Sequence, residues 1–158
     1  MYIVKGLFTE QECKDIIPTW TKEKINSLYG EGNTRVHKNN VQVSTNYYGF
    51  NAVMEQMFKE RTLSELEDSN LFCRSGVMIT KYQEGDFVGI HDDSTTDPSR
   101  KYTTVTMLQD CEEGGKLVVL GKEIDLEVGD MIVYDPTLLH EVTTVIKGER
   151  YTLMTWWH

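Results

Sequence analysis

The spacing of apolar positions changes character near residue 72. Before it the signals are helical. Thr9-Glu10-Gln11-Glu12 has the form of a capping box, in which the Thr oxygen accepts from the N–H three residues on and the Glu reaches back. Ile16, Ile17 and Trp20 then supply an apolar face. Pro18 is expected to end or kink that helix, because its nitrogen carries no proton and its ring crowds the preceding turn. Residues 22–47 are polar, with Gly30, Gly32 and several Asn, and read as loop with one or two short strands where Val41 and Val43 alternate. A second helix is predicted from about Asn51 to Glu67, with Val53, Met54, Met57, Phe58 and Leu63 facing inward.

After residue 72 the signals are short strands broken by turn residues. Strands are predicted over 76–82, 87–91, 103–108, 116–120, 123–126, 131–134, 140–145 and 151–156, with turns at Gly85 and Gly114-Gly115. About eight closely spaced strands with no helix between them point to an antiparallel sandwich or barrel, and a jelly roll fits the count. The expected fold class is mainly β with N-terminal helices covering one sheet face. One domain is expected over residues 1–158, with a helical cover at 1–71 and a β core at 72–158.

Composition narrows the function classes. Hydrophobic residues make up 39% and charged residues 26%, which suits an ordered soluble chain rather than a disordered one. Asp and Glu number 25 against 16 Lys and Arg, a formal charge of −9. That balance argues against a nucleic-acid partner, whose phosphates are met by Lys and Arg. No apolar run approaches the ~20 residues that span a bilayer, so no membrane association is expected. The opening MYIVKGLFTEQEC lacks a charged and then apolar leader, and a cytoplasmic location is expected. Cys13, Cys73 and Cys111 are odd in number and widely spaced, and read as free thiols rather than disulfides or zinc ligands.

The candidate chemistry lies in His91-Asp92-Asp93, at the end of a predicted strand. Residues i and i+2 of a strand share a face, so His91 and Asp93 can meet one ion while Asp92 points away. His140, at the start of a later strand, supplies a third ligand. Two imidazoles and a carboxylate with open positions form the facial triad of non-haem Fe(II) oxygenases. With 25 acidic residues and four histidines, one His-x-Asp/Glu match is expected by chance, so its surroundings must carry the argument. Arg150, ten residues after His140, begins the last strand and can clamp a distant carboxylate in bidentate fashion. Tyr82 ends a strand expected to run antiparallel to that of His91, and can offer a hydroxyl. The polar run His91 to Lys101 is a loop placed where a substrate lid, or an ordinary hairpin connection, would sit. His37 and His158 read as solvent-exposed. Trp156 and Trp157 alternate on the last strand, so one faces the core, and Trp156 is placed near the cavity.

These pieces, in this order and spacing, resemble the Fe(II)/2-oxoglutarate-dependent dioxygenases, and within them the prolyl 4-hydroxylase-like group. The resemblance runs from about Lys81 to His158. It rests on Lys81-Tyr82-Gln83-Glu84-Gly85, His91-Asp92-Asp93, Leu108-Gln109-Asp110, Glu113-Gly114-Gly115-Lys116-Leu117, Val128-Gly129-Asp130, His140-Glu141-Val142 and Gly148-Glu149-Arg150-Tyr151. Collagen-type prolyl hydroxylases usually carry Lys where Arg150 stands; either cation would bind the cosubstrate. Nucleic-acid demethylases of this fold carry a second Arg six residues on, where this chain has Trp156.

The resemblance implies a double-stranded β-helix. It implies that His91, Asp93 and His140 hold Fe(II), and that Arg150, helped by Tyr82 and Thr106, binds 2-oxoglutarate. O2 would complete the reaction, with ascorbate as a possible reductant, giving succinate, CO2 and a hydroxylated C–H bond. A peptidyl proline is the first expected substrate. A lysyl residue, a free amino acid or another small molecule are the alternatives, and a non-catalytic β-helix binding module is the reading from another class. The sequence leaves the oligomeric state open.

Overall fold

The computed structural model describes residues 1–22, 33–38, 42–48, 52–74 and 76–158. Strand β1 (Tyr2–Val4) leads into helix α1 (Glu10–Lys22). The hairpin of β2 (Asn33–Lys38) and β3 (Gln42–Tyr48) precedes helix α2 (Ala52–Leu66). Strands β4 (Met78–Tyr82), β5 (Phe87–His91), β6 (Tyr102–Gln109), β7 (Glu113–Gly114) and β8 (Leu117–Val119) follow. They are succeeded by β9 (Lys122–Ile124), β10 (Met131–Tyr134), β11 (His140–Val142), β12 (Val145–Lys147) and β13 (Arg150–Trp157). No helix among the described residues is long and apolar enough to cross a membrane.

The capping box forms as the sequence predicts. Thr9 Oγ1 accepts from the Glu12 N–H at 3.2 Å, and Glu12 accepts from the Thr9 N–H at 2.9 Å. Arg61 of α2 clasps the same carboxylate with two bonds of 3.0 and 2.7 Å, which ties the helices together and lowers the Glu12 pKa to about 2. Pro18 does not end α1, which runs on to Lys22. One missing N–H removes one bond, and the turn beyond it still forms. In α2, Phe58, Thr62 and Leu66 recur at i+4 and face the core. Val53 is 78% exposed rather than inward. It sits five residues before Phe58, well off that stripe.

The strands form a sheet in the order β1-β10-β6-β13-β4-β3-β5-β11-β8-β9, with β2 on β3. β3 joins two halves of this sheet. Its later residues pair with β4 (Thr45 with Lys81) and its first residues pair with β5 (Val43 with Phe87). β4 and β5 are therefore successive segments running in one direction along β3, not antiparallel neighbours as the sequence suggests. The turn between them, with Asp86 N–H donating to the Gln83 carbonyl at 2.9 Å, steps the chain from one half to the other.

Strands β6, β10 and β13 are buried on both faces. Met131, Val133, Leu108, Leu153 and Trp157 pack outward with Phe8, Ile16 and Phe58 of the helical cover. Ile132, Tyr134, Val105 and Met107 point the other way, with Tyr82, Leu117, Val119 and Val142, into the space between the sheet halves. The double-stranded β-helix thus encloses its own interior, and the helices cover only the outside of one half.

Val128-Gly129-Asp130 fastens the cover to this core. Asp130 accepts from Lys5 Nζ at 2.6 Å, from the Gly6 N–H at 3.0 Å and from the Glu127 N–H at 3.0 Å. Gly129 has φ +92°, and a Cβ there would stand 2.0 Å from the Phe8 carbonyl oxygen. Gly129→Ala is therefore expected to cost at least about 2 kcal/mol, a fall in Tm of about 4–8 °C. Thermal unfolding followed by circular dichroism checks this.

Candidate metal centre

β5 and β11 pair so that His91 and His140 stand directly opposite each other. The register shifts by one residue between this pair and the Val142–Val88 pair. That bulge turns His91 to the same inward side as Val88, which a regular strand would not do. The two rings lie 4.2 Å apart between centroids. Asp93 is not on the strand, which ends at His91. It sits in the turn that follows, and its carboxylate swings back between the imidazoles. Its oxygens lie 3.8 Å from His91 Nε2 and 3.6 Å from His140 Nε2. The three donor atoms all fall within 4.8 Å of one another, close enough for one ion to reach all three.

The donors are chemically prepared for a cation. His91 Nδ1 lies 2.8 Å from the Gly89 carbonyl and His140 Nδ1 lies 2.9 Å from the Leu138 carbonyl. Each Nδ1 carries the proton that such a bond needs, which leaves the Nε2 lone pair facing inward. Burial lowers the His140 pKa and so favours the neutral ring. Asp93 is buried, and its carboxylate accepts from Thr103 Oγ1 at Oδ2, at 2.8 Å. Asp92 is occupied elsewhere. It accepts from Ser94 Oγ at 2.6 Å and from the Thr95 N–H at 2.8 Å, and these bonds lower its pKa to about 2. It closes the turn and is not among the three clustered donors.

Thr103 gave no sequence signal, since a strand Thr reads as packing. Thr103→Val keeps its shape and removes the hydroxyl. It is expected to weaken divalent-metal affinity about 10-fold, measured by titration calorimetry.

Arg150 enters the same interior from β13. It is 1% exposed, and its Nε and Nη2 have no hydrogen-bond partner among the described residues. A buried guanidinium left in that condition is costly unless an anion meets it. Burial alone pushes its pKa down, yet it remains a cation. Tyr82 stands beside it, directly opposite in the β4–β13 register, with the guanidinium carbon 5.3 Å from the ring centroid. Burial pushes the Tyr82 hydroxyl up to about 12, so it stays protonated and able to donate. Thr80 shares the inward face of β4, and its Oγ1 is also unpartnered. Gly115 lets the Arg150 stem pass, because a Cβ there would lie 3.3 Å from Arg150 Cδ and 2.6 Å from Cys111 Sγ.

Thr106 does not belong to this cavity. It pairs with Leu153 on one side and Met131 on the other, and both point to the helical cover. Strand alternation turns its hydroxyl away from Arg150. The inward residues of β6 are Thr103, Val105 and Met107.

The 92–101 loop is tied down at several points. Asp93 N–H donates to the Pro136 carbonyl at 2.8 Å, and Lys101 N–H donates to the Trp157 carbonyl at 2.7 Å. His158 is not solvent-exposed, as its sequence position suggests. Its side chain is 2% exposed, lies 3.1 Å from Asp97 and stacks on Phe72. Trp157 joins the helix-side core, while Trp156 turns inward under Arg100. The side chains of His37 and Trp20 lie outside the described residues, as do residues 23–32 of the expected 22–47 loop. Cys13, Cys73 and Cys111 are free thiols.

A double-stranded β-helix with two imidazoles, one carboxylate and a buried unpaired cation in its interior has the form of a mononuclear metal oxygenase. The sequence model of the 2OG-Fe(II) oxygenase superfamily matches residues 77–158, more than half of the chain. The chain belongs to this superfamily, whose cofactors are Fe(II), 2-oxoglutarate and O2. A PKHD-type hydroxylase of Maricaulis maris (strain MCS10) is 31% identical over 90 residues, covering 52% of this chain and 41% of the relative. A PKHD-type hydroxylase of Prochlorococcus marinus (strain NATL2A) is 26% identical over 170 residues, covering 98% of this chain and 76% of the relative. A prolyl hydroxylase of Trichoplax adhaerens, solved with a peptide fragment of a hypoxia-inducible factor, superposes with TM-score 0.73 at 15% identity. That match covers 99% of this chain and 82% of the other, and it shows the shared fold.

Proposed function

We propose that this chain is an Fe(II)- and 2-oxoglutarate-dependent hydroxylase acting on a peptidyl residue, with proline as the first candidate. In this reading His91, Asp93 and His140 hold the iron. Arg150 pairs with the far carboxylate of 2-oxoglutarate, and the Tyr82 and Thr80 hydroxyls complete that grip. The whole of residues 1–158 acts as one catalytic domain, since the helical cover and the β-helix share the sheet half that carries Arg150. The observation that carries the reading is the buried guanidinium without an anion, in the same interior as the three donors.

When bound, iron with 2-oxoglutarate and O2 supplies the oxidation that places a hydroxyl on an unactivated C–H bond, with succinate and CO2 as coproducts. The chain's own residues do the rest. The two Nδ1–carbonyl bonds fix the imidazole planes. Thr103 fixes the carboxylate. The apolar walls of Val105, Met107, Ile132 and Leu117 keep water from the reacting centre.

The names of the PKHD-type relatives support a hydroxylase, and the peptide fragment bound to the Trichoplax enzyme supports a peptide substrate. The formal charge of −9 suits a neutral or basic one. A cytoplasmic setting, with a reducing pool for thiols and Fe(II), suits the same chemistry. The test is mass spectrometry of Pro- and Lys-containing peptide libraries and of free amino acids after incubation with Fe(II), 2-oxoglutarate and ascorbate. A gain of about 16 Da, one oxygen atom, is expected on peptides. A gain confined to free amino acids would replace the peptide reading with the small-molecule one.

A further inference from the structure

We propose that Arg100 is a positioning residue that sets the backbone of Asp93, and that Trp156 is the platform on which it rests. The inference rests on the reading of His91, Asp93 and His140 as metal ligands.

Asp93 lies outside the strand ladder, so strand pairing does not place it. A ligand on a loop needs other supports if its carboxylate is to stay between two imidazoles. Thr103 holds the side chain, and Pro136 holds the N–H. The carbonyl is held by Arg100, whose Nη1 donates to Asp93 O at 2.6 Å and to Thr96 Oγ1 at 3.0 Å. The guanidinium carbon stands 3.9 Å from the centroid of the Trp156 ring. At that distance the cation lies over the indole face, well inside cation–π range.

Two features separate this from an ordinary surface arginine. No carboxylate among the described residues forms an ion pair with Arg100, so its charge is spent on a neutral carbonyl and a ring. Its Nε and the Trp156 Nε1 are both buried without partners among the described residues, a cost this pose accepts. The platform is itself rigid. Trp156 sits on β13 directly opposite Thr103 on β6. One pair of facing strand residues therefore supports both the carboxylate and the carbonyl of Asp93. This gives the Trp at position 156 a role in the metal centre without touching the metal.

The test uses Co(II) titration of the whole chain, together with thermal unfolding of the metal-free protein. The parent is expected to bind one Co(II). Arg100→Ala is expected to bind it about 10–100-fold more weakly, the range typical of lost supporting contacts to metal ligands. Its metal-free unfolding temperature is expected to stay close to the parent's. Arg100→Lys keeps the charge but not the planar stack, and is expected to fall between the two. Trp156→Phe keeps a ring face under Arg100 and is expected to retain most of the parent's affinity.

Co(II) affinity of Arg100→Ala within twofold of the parent would overturn the proposal. So would an affinity loss matched by collapse of the metal-free fold in both Arg100 variants, which is the mark of a folding role. A parent that takes up no Co(II) removes the triad reading itself, and with it the proposal. That outcome is distinct from a parent that binds and an Arg100→Ala variant that binds equally.

Discussion

Asp93→Ala is expected to abolish metal binding and 2-oxoglutarate turnover, while Asp92→Ala retains most of both. The two carboxylates are adjacent in sequence, and the geometry separates them completely. Asp93 is 4% exposed and lies 3.6–3.8 Å from both Nε2 atoms. Asp92 spends its oxygens on Ser94 and Thr95. In the proposed reading, removing Asp93 takes away a ligand, so affinity is expected to fall by more than the roughly 100-fold lost with a supporting contact. Removing Asp92 loosens a turn at the surface and leaves the three donor atoms in place. Calorimetric titration of Fe(II) under anaerobic conditions reads both. Equal losses in the two variants would show that Asp92 also serves the metal.

Arg150→Met is expected to raise the KM for 2-oxoglutarate at least about 30-fold, with a smaller change in kcat. The free-energy basis is the loss of a charge-assisted partner for a buried carboxylate, about 2–5 kcal/mol. Methionine preserves much of the packed stem beside Gly115. A further consequence follows from the unpartnered nitrogens. An arginine that serves only the fold would destabilise the free protein when removed. Arg150 meets no anion among the described residues, so the free protein is expected to lose little stability in Arg150→Met. Steady-state kinetics and thermal unfolding of one variant measure both quantities. An unchanged KM would mean that another group holds the cosubstrate tail.

Much of this arrangement was legible in the sequence. The change of periodicity at residue 72, the capping box at Thr9 and most strand positions appear where the pattern places them, but β1 and β7 carry no such pattern and the expected strand 140–145 breaks into β11 and β12. His91, Asp93, His140, Tyr82 and Arg150 converge on one interior. The convergence of His91 and Asp93 has a different local cause from the i, i+2 rule. A bulge re-aims His91, and a turn carries Asp93. Such irregularities depend on partner strands that lie far away in sequence.

Thr106 shows the limit most clearly. Every residue from Thr103 to Leu108 is buried, because helices cover one face of β6 and the β-helix interior lies on the other. A strand buried on both faces has no polar alternation, so its parity cannot be read. Of the threonines on β4 and β6, those that face inward are Thr80 and Thr103. His158 is buried for a related reason: Asp97 and Phe72, which flank it, arrive from two separate segments. The end-to-end pairing of β4 and β5 along β3 likewise depends on long-range contacts that no local pattern encodes.

The most direct test is succinate formation from 2-oxoglutarate by the parent chain and by His140→Ala, with Fe(II), O2 and ascorbate. The arrangement of two imidazoles, one carboxylate and the Arg150 cation predicts iron-dependent succinate release by the parent and none above background by His140→Ala. Turnover that survives unchanged in His140→Ala, or its absence in the parent with every candidate substrate, would contradict it.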